Sequence, residues 1–260
     1  MKRPFLISFA VTSALILFAN PAKAQDVGGT VIVGAAVTPD HEGADTYQII
    51  PLLNGRVMVG NRYFEIEGVT ARANVVADSR FEFGPVANLT FGRDAKTKAL
   101  AVARLGGVKE AYEVGAFAAF STPVGANSRA RLSVQAVHDV ADVHNGWVAT
   151  ARGGYTADIG KVTLGADVTA SYASYDYMRT YFGVSAAGAA ASGLPRFTAD
   201  AGFKDVGANV SASYRLSKRW SLHAVGGYKR LIGNVADSPI VDRAGDANQL
   251  FGAVGIGFSF

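Results

Sequence analysis

The sequence predicts an all-β protein, a transmembrane antiparallel β-barrel of twelve strands, with ten strands as the alternative. Apolar and polar side chains alternate with a period of two over segments of about ten residues, the strand length that crosses a bilayer. Tyrosine and tryptophan recur near the segment ends, and short turns alternate with long polar loops. A soluble β-sandwich would alternate similarly, but these polar faces carry little charge and are rich in Gly, Ser, Thr and Asn.

The first 24 residues have the three parts of a secretory signal peptide. Lys2 and Arg3 form a positive start, an apolar stretch runs from Phe5 to Ala19, and Ala22-Lys23-Ala24 is a small-x-small cleavage site before Gln25. The apolar stretch is short for a membrane-spanning helix, which needs about 20 residues. The sequence therefore divides into a signal peptide (residues 1–24) and a barrel (residues 25–260).

The composition excludes several classes of function. Of the 25 basic residues, Lys2, Arg3 and Lys23 lie in the signal, so the remainder nearly balances the 21 acidic residues. That balance gives no support for a nucleic-acid partner. The sequence has no cysteine, so neither disulfides nor thiolate metal sites are expected, and no pattern predicts a metal or cofactor. The 30 glycines and the 49% hydrophobic content do not suit a disordered chain.

The strands follow from the alternation and from the turns between them. In VTLGADVTASY (162–172) the apolar residues lie on one face and Thr, Gly, Asp and Ser on the other. Eleven such segments are clear, but an odd number cannot place both chain ends in the periplasm, so KALAVARL (98–105) is taken as the twelfth. The predicted strands lie near 28–38, 48–59, 62–75, 81–92, 98–105, 111–122, 129–139, 146–158, 161–172, 202–215, 219–230 and 248–260.

Loop lengths indicate which end of the barrel faces the periplasm. The turns PVGANSR (123–129), DIGK (158–161) and LSKR (216–219) are short. The connections near 140–146, 173–201 and 231–247 are longer. Because such barrels have short periplasmic turns and long outer loops, both chain ends are expected on the periplasmic side.

The final strand, FGAVGIGFSF, has a large apolar face and a small-residue face. Val254, Ile256, Phe258 and Phe260 alternate with Ala, Gly and Ser. This ending resembles the terminal strands of outer-membrane barrels as a group, in which it is read by the barrel-assembly machinery.

Longer stretches carry a more specific resemblance. These are TYFGVSAAGAAASGLPRFTADAGFKDVG (180–207), YKRLIGNVADSPIV (228–241) and the ending NQLFGAVGIGFSF, with weaker similarity in IIPLLNGRVMVGNRYFEIEG (49–68) and at Gly92-Arg93. Together they resemble the MipA/OmpV family, named for the MltA-interacting protein. The resemblance covers essentially the whole chain after the signal, with its first third similar more in layout than in residues.

The resemblance implies a bacterial outer-membrane protein. Family members have been linked to a scaffold that joins a lytic transglycosylase to a bifunctional murein synthase, and others are described as porin-like proteins or adhesins. The family has no established catalytic residues to carry over. The expected partners are outer-membrane lipid and lipopolysaccharide, the barrel-assembly machinery and those murein enzymes. A non-enzymatic scaffold is the first functional expectation, and a narrow porin-like channel is the alternative.

Two groups of side chains are candidate functional residues. The 173–201 loop contains Tyr175, Tyr177, Tyr181 and Phe182. One interpretation is a binding loop. The other is an aromatic girdle at the membrane interface, with the rest of the loop folded into the lumen. A second group is expected to face the lumen, where it lines a narrow water path or pairs internally. Its members are Glu113, Arg152, Asp167, Arg215 and Lys229.

The stretch VHDVADVH (137–144) raises a third functional class, a hydrolase at the barrel rim. His138, Asp139, Asp142 and His144 offer an acid and a base for activating water. A match to barrel proteases would need two acidic pairs facing each other across the barrel, so a solvated rim loop is favoured. The acids of PDHEGAD (39–45) match no EF-hand or zinc spacing and are also interpreted as a solvated loop.

Overall fold

The computed structural model describes residues 27–95 and 97–260, so the predicted signal peptide lies outside the described residues. Within them the chain forms a closed barrel in which each antiparallel strand pairs with the next, and β12 pairs back to β1. The strands are β1 (Val27–Pro39), β2 (Tyr47–Val59), β3 (Arg62–Glu67), β4 (Thr70–Asn74), β5 (Phe81–Thr90), β6 (Ala111–Gly125), β7 (Ser128–Asp139), β8 (Trp147–Ile159), β9 (Val162–Ala173), β10 (Gly202–Arg215), β11 (Trp220–Leu231) and β12 (Asn248–Ser259).

The seam between the first and last strands closes the barrel. It runs in register from Thr30 opposite Ser259 to Val37 opposite Gly252. The backbones approach closely at Gly34, where a Cβ atom would lie 1.9 Å from the carbonyl oxygen of Val254, so only glycine fits there. In β12, the side chains of Val254 and Ile256 are exposed on the outer wall, as is that of the terminal residue Phe260, while Phe258 packs against Trp220.

The outer wall is apolar and carries two aromatic belts, as expected for a barrel in a membrane. Trp147 stacks on Tyr172 near one end, and Phe81 packs against Phe120 near the other. The end with the short turns is assigned to the periplasm. The exposed aromatics of the outer belt are Tyr47, Tyr112, Trp147, Phe203 and Tyr228, and those of the periplasmic belt are Phe81, Phe120, Tyr155, Tyr214 and Trp220.

The predicted number of twelve strands is confirmed, but the position of one strand is wrong. KALAVARL (98–105) contains a short helix, α1 (Leu100–Ala103), and no strand. The additional strand comes instead from the predicted 62–75 segment, which folds into two short strands, β3 and β4. Gly68 turns the chain between them with a φ of +59°, a conformation that favours glycine, and the hairpin keeps the strand number even.

The three longest outer loops fold into a compact cap (residues 91–110, 174–201 and 232–247). They contain α1, α2 (Tyr175–Phe182), α3 (Ala186–Ser192), a 3₁₀ turn (Gly233–Val235) and α4 (Pro239–Asp242). None of the helices among the described residues is long and apolar enough to cross a bilayer. The cap is held to the barrel by buried apolar side chains, which include Met178, Phe182, Leu231, Val235, Val241, Val102, Val184, Leu194 and Ile240.

Candidate functional site

A chain of ion pairs crosses the middle of the lumen, and it is called the ion-pair layer below. Strand alternation points its side chains inward from five strands. Four of its links are Arg56 to Glu65 at 2.6 Å, Arg72 to Glu65 at 3.4 Å, Arg72 to Glu67 at 3.2 Å and Arg152 to Glu67 at 3.2 Å. Arg152 also lies 3.7 Å from Asp167, so the layer reaches β9.

A second cluster fills the lumen beside and below this layer. Glu82 accepts a hydrogen bond from the Tyr63 hydroxyl at 2.6 Å and from Arg131 Nη2 at 2.7 Å. Tyr63 and Phe117 are buried against Val86 and Val137. Ion pairs and packed aromatic rings therefore occupy the centre of the barrel.

A cavity of about 450 Å³ lies between the ion-pair layer and the cap, and it is called the outer cavity. Its walls include Arg152 on the lumen side and Tyr177, Tyr181 and Lys229 towards the cap. The volume is within the range of about 300–1,000 Å³ that small-molecule sites occupy.

An ion cluster on one wall of the outer cavity is produced by a β-bulge in β10. The register shifts between Phe203 and Asp205, so Lys204 and Asp205 are both buried although they are adjacent in sequence. Lys204 Nζ lies 2.5 Å from Glu42 Oε1 and 2.6 Å from Asp205 Oδ2. Burial alone would raise the pKa of the Glu42 carboxyl, but Lys204 and Lys229 hold that pKa below its ordinary value.

The 140–146 loop, which packs against the cap through His144, is tied to the barrel by Glu113. His144 Nδ1 accepts the backbone N–H of Gly146 at 3.0 Å, so Nε2 carries the proton and donates to Glu113 Oε1 at 3.0 Å. The other oxygen of Glu113 accepts from Asn88 Nδ2 at 2.7 Å and from Thr90 Oγ1 at 2.9 Å. Glu113 and His144 are both buried, so this network fixes the 140–146 loop against β5 and β6.

Two of the candidate hydrolase residues, Asp139 and His144, are held in structural contacts. Asp139 accepts four backbone N–H groups of the following loop, from Ala141 through Asn145, at 2.7–3.0 Å. His138 Nδ1 contacts the carbonyl oxygen of Asp139 at 2.7 Å. His144 directs its side chain to Glu113 and not to the Asp139 carboxylate. A general base needs a free lone pair directed at water and an acidic partner beside it. Asp139 and His144 are engaged in the contacts above, and His138 is exposed on the face of β7 opposite to the buried Asp139.

Arg93 contributes a buried guanidinium to the outer cavity. It donates from Nη1 to the carbonyl oxygen of Tyr181 at 3.1 Å, and its Nε has no hydrogen-bond partner among the described residues. Within the described part of the chain no carboxylate lies at ion-pairing distance from it. Burial, followed by the positive charge of Arg93, lowers the pKa of His41 to about 4.

Comparison with known proteins places the chain in a family. The model of the MltA-interacting protein family, MipA, matches residues 31–260. The chain belongs to the MipA family. Three solved barrels are similar in fold: the KdgM porin (12% identity, 89% of this chain and 99% of that chain, TM-score 0.42), an outer-membrane channel from Pseudomonas putida F1 (13%, 92% and 97%, 0.48) and OmpT of Vibrio cholerae (8%, 90% and 97%, 0.40).

No curated protein matches the chain. The family match and the barrel establish an outer-membrane β-barrel protein in a bacterial outer membrane. This agrees with the family resemblance in the sequence.

The structure of this MipA-family barrel separates the predicted lumen residues into four places. Arg152 and Asp167 lie together in the ion-pair layer. Of the two alternatives for these residues, lining a water path or pairing internally, the structure has the second. Lys229 faces the outer cavity, 3.5 Å from Glu42, and Glu113 is buried beneath the cap. Arg215 lies at the periplasmic end and is exposed to solvent.

The aromatic residues of the predicted binding loop are also divided. Tyr175 is exposed on the cap surface, whereas Phe182 is fully buried in the cap core. Tyr177 and Tyr181 line the outer cavity, where Tyr177 donates its hydroxyl to Glu42 at 3.1 Å. Burial raises the pKa of both tyrosines, so their hydroxyls stay protonated donors. A binding role for these residues stays a prediction.

Some residues of the site have no clear signal in the sequence. Arg93 appears there only as part of a Gly-Arg pair in the family resemblance, and its burial depends on the fold of the cap. Lys204 lies inside because of the bulge, which breaks the alternation used to assign faces. Within the described ranges, no group of three or more His, Cys, Asp or Glu side chains is arranged to hold a metal ion.

Proposed function

We propose that the protein is a non-enzymatic outer-membrane scaffold that holds a murein enzyme, in the first place a lytic transglycosylase, at its periplasmic rim. The family name, MltA-interacting protein, supports a partner of that kind. The occupied lumen also favours a role on the surface of the barrel over free passage through it.

The observation that carries the proposal is the charge of the periplasmic rim. The acidic side chains described at that end, Asp78 and Asp158, are hydrogen-bonded locally, Asp78 to backbone N–H groups and Asp158 to Thr163. Basic side chains outnumber them, are exposed, and form no ion pair within the described residues. These basic residues, called the basic rim, are Arg62, Arg80, Arg129, Lys161, Arg215, Lys218 and Arg219.

Unpaired cations on one face favour a partner with an acidic face. Complementary charge speeds association and selects the partner, and it acts over a Debye length of about 8 Å at physiological salt. The periplasmic turns project little from the barrel, so the contact is small and its affinity depends on charge. Binding is therefore expected to weaken as salt increases.

Charge reversal at one turn tests the proposal. Lys218→Glu with Arg219→Glu is expected to weaken capture of the purified lytic transglycosylase by the refolded barrel about 30-fold, because two reversed contacts at about 1 kcal/mol each sum to about 2 kcal/mol. Lys98→Glu with Arg196→Glu makes the same change at the outer end and serves as the control. Equal binding by the wild type and both variants, at low and high salt, would refute the basic rim as the docking surface.

A narrow channel for small solutes is the second candidate, favoured by the outer cavity and its charged walls. Single-channel recording of the refolded chain in a planar bilayer separates the two. The ion-pair layer leads us to expect an electrically silent barrel, with folding checked by heat-modifiable gel mobility. Steady conductance steps from the wild-type protein would favour the channel.

A further inference from the structure

The barrel wall is incomplete beside the β3–β4 hairpin. β2 has 13 residues and β5 has 10, but β3 and β4 between them have six and five. β2 pairs with β3 only over Asn54–Val59, so residues 47–53 of β2 pair with β1 alone. At about 3.3 Å per residue, roughly 23 Å of strand has one open edge. This opening is called the lateral gap.

The backbone groups that face the lateral gap can be identified from the strand register. The backbone N–H of Asp40 donates to the carbonyl oxygen of Thr46, and this pair continues the register of the β1–β2 ladder. Because hydrogen-bonded pairs alternate along antiparallel strands, the even-numbered residues of β2 direct their backbone groups to β1. The odd-numbered residues Ile49, Pro51 and Leu53 therefore direct their backbone groups to the gap. Among the described residues these groups have no hydrogen-bond partner.

Pro51 indicates what does not fill the gap. Pro51 lacks an N–H on the open side, so a strand that paired with this edge of β2 would lose a hydrogen bond in the middle of the pairing. Proline on an exposed edge is a common way to prevent strand addition. A second protein strand is therefore a poor occupant of this edge.

The lateral gap lies at the level of the outer leaflet. Tyr47, a residue of the outer aromatic belt, is at the top of the open edge. Below it, Ile49 is 75% and Leu53 is 52% exposed on the outer wall. Lipid-exposed open sheet edges are not tolerated in hydrocarbon, so the gap must be supplied with polar partners from the lumen side.

The outer cavity reaches the hairpin side of this gap and has two kinds of wall. Near the hairpin it is lined by Val69, Leu89 and Phe91, and the first two are joined by a backbone hydrogen bond of 3.0 Å. Deeper in the cavity, Arg93 presents a guanidinium with no carboxylate partner among the described residues. The other lining cations, Arg152, Lys204 and Lys229, each lie within 4 Å of a carboxylate. An apolar entrance leading to this unpaired guanidinium matches a molecule with an apolar chain and an anionic head.

We propose that the lateral gap admits a fatty-acid-like amphiphile, a single acyl chain with a carboxylate head, from the outer leaflet into the outer cavity. The carboxylate binds Arg93, and the chain lies over Val69 and Leu89 in the gap. The scaffold function and this site are independent, because they use opposite ends of the barrel.

Photolabelling tests the proposal with the full barrel in lipid vesicles. The probe is dodecanoate with a diazirine on its terminal carbon, and labelled residues are identified by mass spectrometry. We expect label on Val69, Leu89 and Phe91. Unlabelled dodecanoate should compete for these positions, whereas dodecanol should not, because it has no charge to bind Arg93.

Two variants distinguish a site from dissolution of the probe in lipid. Arg93→Met is expected to reduce labelling of Val69, Leu89 and Phe91 about tenfold. Arg104→Met, which changes an exposed arginine of the cap, is expected to leave that labelling unchanged. Val69→Trp narrows the gap and should also reduce labelling, with Val75→Trp on the periplasmic side as its control. Heat-modifiable mobility shows whether each variant is folded. Label confined to Ile49 and Leu53 and unaffected by Arg93→Met would overturn the proposal.

Discussion

Glu113 is expected to be the most important single side chain for the stability of the outer half of the barrel. Glu113→Ala removes the acceptor for His144, Asn88 and Thr90 together. Glu113 and His144 are both buried, so water cannot replace the carboxylate without opening the cap. The change therefore leaves buried donors without partners.

The size of the effect follows from those contacts. An unsatisfied buried donor costs about 1–3 kcal/mol, and breaking a buried charge-assisted pair from one side costs about 3–5 kcal/mol. We expect Glu113→Ala to lower the free energy of unfolding by about 3–5 kcal/mol. His144→Ala should lower it by a similar amount, and the double variant by less than the sum, with a coupling of about 1–3 kcal/mol.

The assay is equilibrium unfolding in urea with the barrel in phospholipid vesicles. The two tryptophans, Trp147 and Trp220, lie in the two aromatic belts, so their fluorescence reports on the barrel in the membrane. Glu110→Ala changes an exposed glutamate near the start of the same strand and should stay within about 0.5 kcal/mol of the wild type. A cost below about 1 kcal/mol for Glu113→Ala, or no coupling to His144, would refute the reasoning.

Three further results are expected. Glu67→Ala with Arg152→Ala breaks the ion-pair layer and should produce conductance steps in planar bilayers, and silence from the folded variant would show that other groups close the lumen. Gly68→Ala should lower the free energy of unfolding by about 1–2 kcal/mol because of its φ of +59°, whereas Gly202→Ala, which has open space around its Cβ position, should not. His41 has a pKa of about 4 in the folded state, and its ordinary pKa is 6.5. The free energy of unfolding is therefore highest with respect to this group above pH 6.5, and it decreases as the pH falls towards 4. His41→Gln should remove up to about 3 kcal/mol of that loss, measured by urea unfolding at pH 7 and pH 4.5, and an unchanged pH dependence would contradict the assignment.

Period-two alternation predicts the barrel well because every wall residue has a lipid-facing or a lumen-facing environment. The prediction is wrong at 98–105, where alternation is short and the residues are good helix formers. There the choice depends on Val102, which packs into the cap core. The hairpin at Gly68 is missed although the alternation changes phase there. Phe64 and Ile66 face outward in β3 at even positions, whereas Ala71 and Ala73 face outward in β4 at odd positions, after a two-residue turn.

The candidate site is less predictable because its residues meet through a folded loop and a β-bulge. Alternation places Glu113 in the lumen, but its partner His144 comes from a loop that the sequence places only at the rim. Lys204 and Asp205 are neighbours in sequence, so alternation would place them on opposite faces, and the bulge reverses that rule for one of them. Such contacts depend on loop folding and not on a local repeat.

The closing seam between β1 and β12 also determines when the barrel can finish folding. The hydroxyl of Thr30 lies 2.9 Å from that of Ser259, although 229 positions separate the two residues in the chain. A contact between such distant segments forms slowly, because the whole intervening chain must first be arranged. Until the twelve residues of β12 arrive, β1 and β11 both present open edges. Pairing of the C-terminal strand with β1 is thus the step that converts an aggregation-prone open sheet into a closed barrel.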